Sequence, residues 1–117
     1  MAEEKQFENK IKKLLKAKGI YYFKFWGTMY TKAGVPDIIA CVNGRFLGIE
    51  VKAEKGKPSE IQLENIRQIR RGGGYAVVCY PDQYDKLERL IDALLNGYDS
   101  KAKLCEGGFN ESERHSG

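Results

Sequence analysis

The chain has 117 residues, 42% of them hydrophobic and 31% charged, with a formal net charge of +4. That size allows one core burying roughly two-thirds of the unfolded surface, and the composition excludes a disordered polymer. No run approaches the ~20 apolar residues that a membrane helix needs.

Residues 3–18 place Phe7, Ile11, Leu14 and Leu15 on one helical stripe, with lysines around the remainder and Gly19 as the stop. Residues 20–26, aromatic and β-branched, predict a strand with Tyr21, Phe23 and Phe25 on one face. A polar loop follows over 27–34. Residues 36–42 and 45–53 predict two strands joined by Asn43-Gly44, a strong hairpin signal.

Ser59 opens a helix that runs to about Arg71, where Gly72-Gly73-Gly74 stops it. Residues 75–80 read as a buried strand. Pro81 and Asp82 start a last helix with Leu87, Leu90, Ile91 and Leu94 on its apolar side, closed by Gly97. Residues 1–97 are expected to form one domain, and 98–117 a polar, flexible tail holding the lone His115. The order α-β-β-β-α-β-α predicts an α/β fold, a mixed β-sheet flanked by helices.

Three cysteines, odd in number and far apart, argue against a disulfide framework or zinc site. Cys41 and Cys79 are expected in the core and Cys105 in the tail. Met1-Ala2-Glu3-Glu4 lacks a signal peptide's charge-then-apolar order, so a reducing cytoplasm is expected. Charge is uneven: residues 1–36 carry +5, residues 37–80 carry +2 and residues 81–117 carry −3. A basic excess in the first two-thirds suits a polyanionic partner, although lysine-rich helices are often merely solvated.

The hairpin register is informative. With a two-residue turn Val42 pairs with Arg45, so Asp37 lies opposite Glu50 and Val35 opposite Lys52. One face carries Ile38, Ala40, Val42, Leu47, Ile49 and Val51; the other gathers Asp37, Glu50 and Lys52 at one end. Carboxylates opposed at about 5 Å repel by on the order of 3 kcal/mol at an effective dielectric near 20. Two readings account for this: a solvated edge, where the cost is small, or a divalent cation held by hard oxygen ligands.

Gly34-Val35-Pro36-Asp37 followed by Ile49-Glu50-Val51-Lys52 resembles the PD-(D/E)XK nuclease signature. More narrowly, residues 4–80 resemble the stand-alone VRR-NUC proteins of phages and bacteria. The resemblance implies a restriction-endonuclease-like core and a Mg2+ or Mn2+ ion held by Asp37, Glu50 and the main-chain carbonyl of Val51. Lys52 would position the attacking water and neutralise charge on the phosphate.

The family's first-helix acid has three candidates here, Glu3, Glu4 and Glu8. At 100° per residue Glu4 lies nearest the centre of the apolar stripe, so Glu4 is expected to join the metal site. Gln62 matches a glutamine beside the family's active centre, yet Ser59-x-x-Gln62 is also a capping box. In the loop ahead of Asp37, Thr28, Tyr30, Thr31 and Lys32 are expected to contact DNA phosphate.

The implied activity is metal-dependent endonuclease cleavage of branched DNA, as in Holliday-junction resolution, by a homodimer with no membrane role. A dimer would supply the two sites that two symmetric cuts require. A less selective nuclease that nicks or trims flaps and ends, or a non-enzymatic DNA-binding domain on the same fold, would share these motifs.

Overall fold

The computed structural model describes residues 2–109. Its elements are α1 (Ala2–Ala17), β1 (Tyr21–Lys24), β2 (Ile38–Val42), β3 (Arg45–Val51), α2 (Glu60–Arg71), β4 (Tyr75–Cys79), a 3-10 turn (Pro81–Gln83), α3 (Tyr84–Leu95) and α4 (Asp99–Gly107). Asn43 (φ 52°) and Gly44 (φ 79°) both adopt the left-handed region, as a type I′ hairpin turn requires. That turn fixes the register, and the pairs run from Val42↔Arg45 to Ile38↔Ile49 as the sequence predicts.

The sheet order is β1-β2-β3-β4. The first two pairings are antiparallel, and β3 pairs parallel with β4 across the α2 connection. The fold is therefore the expected mixed sheet flanked by helices. On one face Ile38, Ala40, Val42, Leu47, Ile49 and Val51 are buried beneath α1 and α3, through Ile11, Leu15, Leu87 and Leu94 among others.

The other face is covered only in part. Ile66 of α2 packs on Ala76, Val78 and Tyr80, with Leu63 and Ile69 beside them. Among the described residues nothing comparable covers the far end of β2, so Cys41 is exposed rather than in the core, beside exposed Tyr21 and Phe46. Cys79 is buried as expected, and burial pushes its thiol up to about 12.

The stretch expected to be a loose tail is a helix over its first part. Helix α4 places Ala102 and the following Phe109 in the main core. Burying a phenylalanine stabilises by roughly 1.5–3 kcal/mol, enough to hold a short helix whose own apolar pattern is weak. Residues 110–117, including His115, lie outside the described residues. No helix among the described residues is long and apolar enough to cross a membrane.

Candidate active site

The segment leading into β2 is held by packing that only its own residues permit. Gly34 has φ +79°, and a Cβ there would stand 2.7 Å from both Asn65 Nδ2 and the Ile61 carbonyl oxygen. Glycine thus lets the chain lie directly on α2, where Asn65 Nδ2 donates to the carbonyls of Ala33 (3.1 Å) and Ile61 (2.8 Å). Pro36 then packs over Gly48, whose missing Cβ would meet the proline ring at 3.0 Å. These contacts deliver Asp37 to the end of β3, where its Oδ2 accepts from the Val51 N–H at 2.9 Å.

Glu50 is only 2% exposed. Its Oε2 accepts from Gln62 Nε2 at 3.0 Å and lies 3.5 Å from Lys52 Nζ. Its Oε1 is buried with no hydrogen-bond partner among the described residues. Burial first, and the charge of Asp37 second, push the Glu50 carboxyl up to about 8, outweighing the opposing pull of Lys52. A cation placed against Asp37 and the free oxygen would reverse both effects, so the donor set fits a hard divalent ion.

The solvated-edge reading of this end does not survive the burial of Glu50. No third histidine, cysteine or acid joins Asp37 and Glu50 in a metal-binding group among the described residues. Glu4, expected at the metal, is not brought into such a group: it is half-buried and lines an open groove beside Lys52, together with Glu3, Glu54, Lys55 and Lys57. In the first turn of α1, Glu4 faces this groove.

The first-helix acid that communicates with the site is Glu8, which is 5% exposed. It pairs with Lys24 at 2.7 Å and Lys12 at 2.9 Å, and Lys24 Nζ lies 3.5 Å from Asp37 Oδ1. Burial alone would raise the Glu8 carboxyl, but Lys24 and Lys12 together hold it below the usual carboxylate value. Lys24 thus links an acid on α1 to Asp37. The signal for Glu8 was present in the spacing Glu8-Ile11-Leu15, one helical face, with Lys12 one turn on.

Gln62 contacts both the helix cap and Glu50. Its Oε1 accepts from the Ser59 N–H at 2.8 Å and its backbone N–H donates to Ser59 Oγ at 3.2 Å, while its Nε2 holds Glu50. The capping box orients the side chain that orients the acid. Lys52 is fixed through its own segment: its N–H donates to the Cys79 carbonyl (3.1 Å), and Tyr80 Oη donates to the Gly56 carbonyl (2.8 Å).

The loop candidates Thr28, Tyr30, Thr31 and Lys32 are all exposed. The two threonines are already engaged, however. The Thr28 N–H donates to Thr31 Oγ1 (2.8 Å), which donates to the Thr28 carbonyl (3.0 Å), and the Tyr30 N–H donates to Thr28 Oγ1 (3.1 Å). Their hydroxyls shape the turn.

Comparison with known proteins bears on this geometry. Residues 2–79 match the family of archaeal Holliday junction resolvases (Hjc). Among solved structures, Hjc of Archaeoglobus fulgidus, a Holliday junction resolvase from an archaeal hyperthermophile, is similar with a TM-score of 0.52 and 28% sequence identity. The match covers 65% of this chain and 66% of that one, just under two-thirds of its length. No curated protein matches the chain. The matched span runs from α1 to the end of β4, so it contains the whole Asp37–Glu50 end of the sheet, whereas α3 and α4 lie beyond it. Over that span, more than half of its length, the chain belongs to the archaeal Holliday junction resolvase (Hjc) family.

Proposed function

We propose that this protein is a divalent-metal-dependent endonuclease that cuts branched DNA at four-way junctions. The observation that carries the reading is the buried, partly unsatisfied Glu50 beside Asp37 and Lys52, within a span that matches a resolvase family. Asp37, Glu50 and the Val51 carbonyl would hold Mg2+ or Mn2+. Bound there, the ion supplies an acidified water and a polarised phosphate. Lys52 orients the attacking water and offsets charge developing on the scissile phosphate. Gln62 fixes the Glu50 carboxylate, and Lys24, held by Glu8, fixes Asp37.

The GVPD and IEVK motifs support a kinship with VRR-NUC proteins as well. The enzyme acts as a homodimer with one site per chain, because two symmetric cuts need two sites. Its free thiols, Cys41, Cys79 and Cys105, suit a reducing cytoplasm.

Incubation with a labelled four-way junction and a matched linear duplex, in Mg2+, Mn2+ or chelator, tests the reading. Metal-dependent paired cuts in the junction alone are expected; equal cutting of the duplex, or binding without cleavage in any metal, overturns it. Light scattering tests the dimer, which requires twice the 13.3 kDa of one chain.

A further inference from the structure

The loop ahead of Asp37 carries two side chains that the nuclease chemistry leaves unused. Met29 is 87% exposed and Tyr30 is 90% exposed. Large apolar groups at a loop tip expose surface that favours a partner. Here they are the two central residues of a turn closed by the Thr31 N–H donating to the Thr28 carbonyl at 3.2 Å. The threonine hydroxyls brace the same turn from within. Both side chains are therefore presented outward on a pre-shaped support, so little ordering accompanies binding.

The turn is tied to the reacting end. The Phe25 N–H donates to the carbonyl of Asp37 at 2.8 Å, closing the loop at the acid itself, and Asn65 holds the returning strand at Ala33. Seven residues separate Tyr30 from Asp37, so the tip lies within ~25 Å of the acid, less than one turn of duplex. An uncharged thioether and a phenol ring match a nucleobase face better than a phosphate. Stacked bases in a continuous duplex offer no such face. A branch point, where stacking is interrupted, does.

We infer that Met29 and Tyr30 form a wedge that stacks on unstacked bases at the branch point and so gives the protein its preference for junctions over duplex. Lys32, exposed behind the tip, takes the neighbouring phosphate. This inference rests on the nuclease reading above.

The test uses the full chain and four-way junctions carrying 2-aminopurine either at the branch point or in an arm, bound in chelator. Wild-type protein should change the fluorescence of the branch-point probe and leave the arm probe unchanged. M29A/Y30A should lose that change and weaken junction binding by about fivefold or more, the loss expected for one or more stacked bases, with duplex binding nearly unaffected. Y30F should behave as wild type, because the ring and not the hydroxyl makes the contact.

If Y30F is as impaired as M29A/Y30A, the contact is a phosphate hydrogen bond and the wedge is overturned. If the folded double variant binds and cuts junctions as wild type does, the wedge falls while the nuclease reading stands. A wild-type protein that neither binds nor cuts junctions removes both.

Discussion

Each end of the sheet buries a carboxylate, and the two are treated in opposite ways. At the end covered by α4, Glu106 is 6% exposed and accepts from the Ala76 N–H at 3.0 Å, with Arg70 at 3.5 Å and Lys103 at 3.7 Å. At the other end Glu50 is 2% exposed, faces a second acid and has one oxygen with no donor among the described residues. A buried ion costs several kcal/mol unless it is paired and hydrogen-bonded. Glu106 therefore ties α4 to β4, whereas Glu50 opposes folding, a cost that the proposed metal site would explain. Strain kept at a reacting centre and offset elsewhere is the expected signature of a functional site.

The sharpest way to break this contrast is a pair of substitutions. Glu50→Gln should lower junction cleavage by on the order of a thousandfold, while raising Tm in metal-free buffer near neutral pH, because the amide is neutral without the proton that Glu50 must take up to be buried. Glu106→Ala should do the reverse: it leaves the Ala76 N–H without its acceptor and costs about 1–3 kcal/mol, with the cleavage rate of the folded protein preserved. Thermal melts beside junction-cleavage rates decide the matter. A lower Tm for E50Q, or lost cleavage in E106A below its melting range, would end the contrast.

Asp37→Asn should also abolish cleavage, but keep or tighten junction binding, since it removes a negative charge from the DNA-facing end. It should lower the Glu50 titration from about 8 as well, because the Asp37 charge is the second contributor to that value. Carboxyl NMR of the metal-free protein reads the shift directly. An unmoved Glu50 would mean that burial acts alone.

A smaller effect is spread over pH. The folded Glu50 holds its proton up to about 8, whereas the unfolded chain releases it near the ordinary value of 4.5. Stability from this group is thus fully present below pH 4.5 and declines as pH rises toward 8, by at most on the order of 5 kcal/mol. Glu8, whose carboxyl is lowered, works in the other direction, adding stability above its unfolded value that is lost on acidification. In chelator, E50Q should flatten the decline between pH 5 and 8, and in wild type Mg2+ should raise Tm more at pH 8 than at pH 5. A wild-type profile that does not fall over this window contradicts the placement of Glu50.

Sequence legibility follows the same division between local and long-range causes. The hairpin register was readable because Asn43-Gly44 is a local constraint with one good solution, and from it came the Asp37–Glu50 opposition. The stripe shows that Glu8 shares a face with Ile11 and Leu15, but its link to Asp37 was not readable there, because it depends on where β1 sets Lys24 against α1. Helix α4 was missed for a related reason: its nine residues have little apolar pattern, and a buried Ala102, Phe109 and Glu106 fix it through partners far away in sequence. Cys41 was misplaced because face alternation says which side a residue is on but not whether a helix covers it.

The smallest predicted effect separates the two roles of Gln62. Ser59→Ala removes the hydroxyl that caps α2 but leaves the Gln62–Glu50 hydrogen bond with its own donor and acceptor intact. It should cost about 1 kcal/mol of stability and leave cleavage near wild type. Gln62→Ala removes its half of the capping box and also the donor that fixes Glu50 Oε2. Its stability loss should be similar, so a slower cleavage rate seen only in Q62A isolates the contact with the acid from the contact with the helix end. Equal rates in the two variants would assign Gln62 to the cap alone, and the orientation of Glu50 would then rest on Lys52.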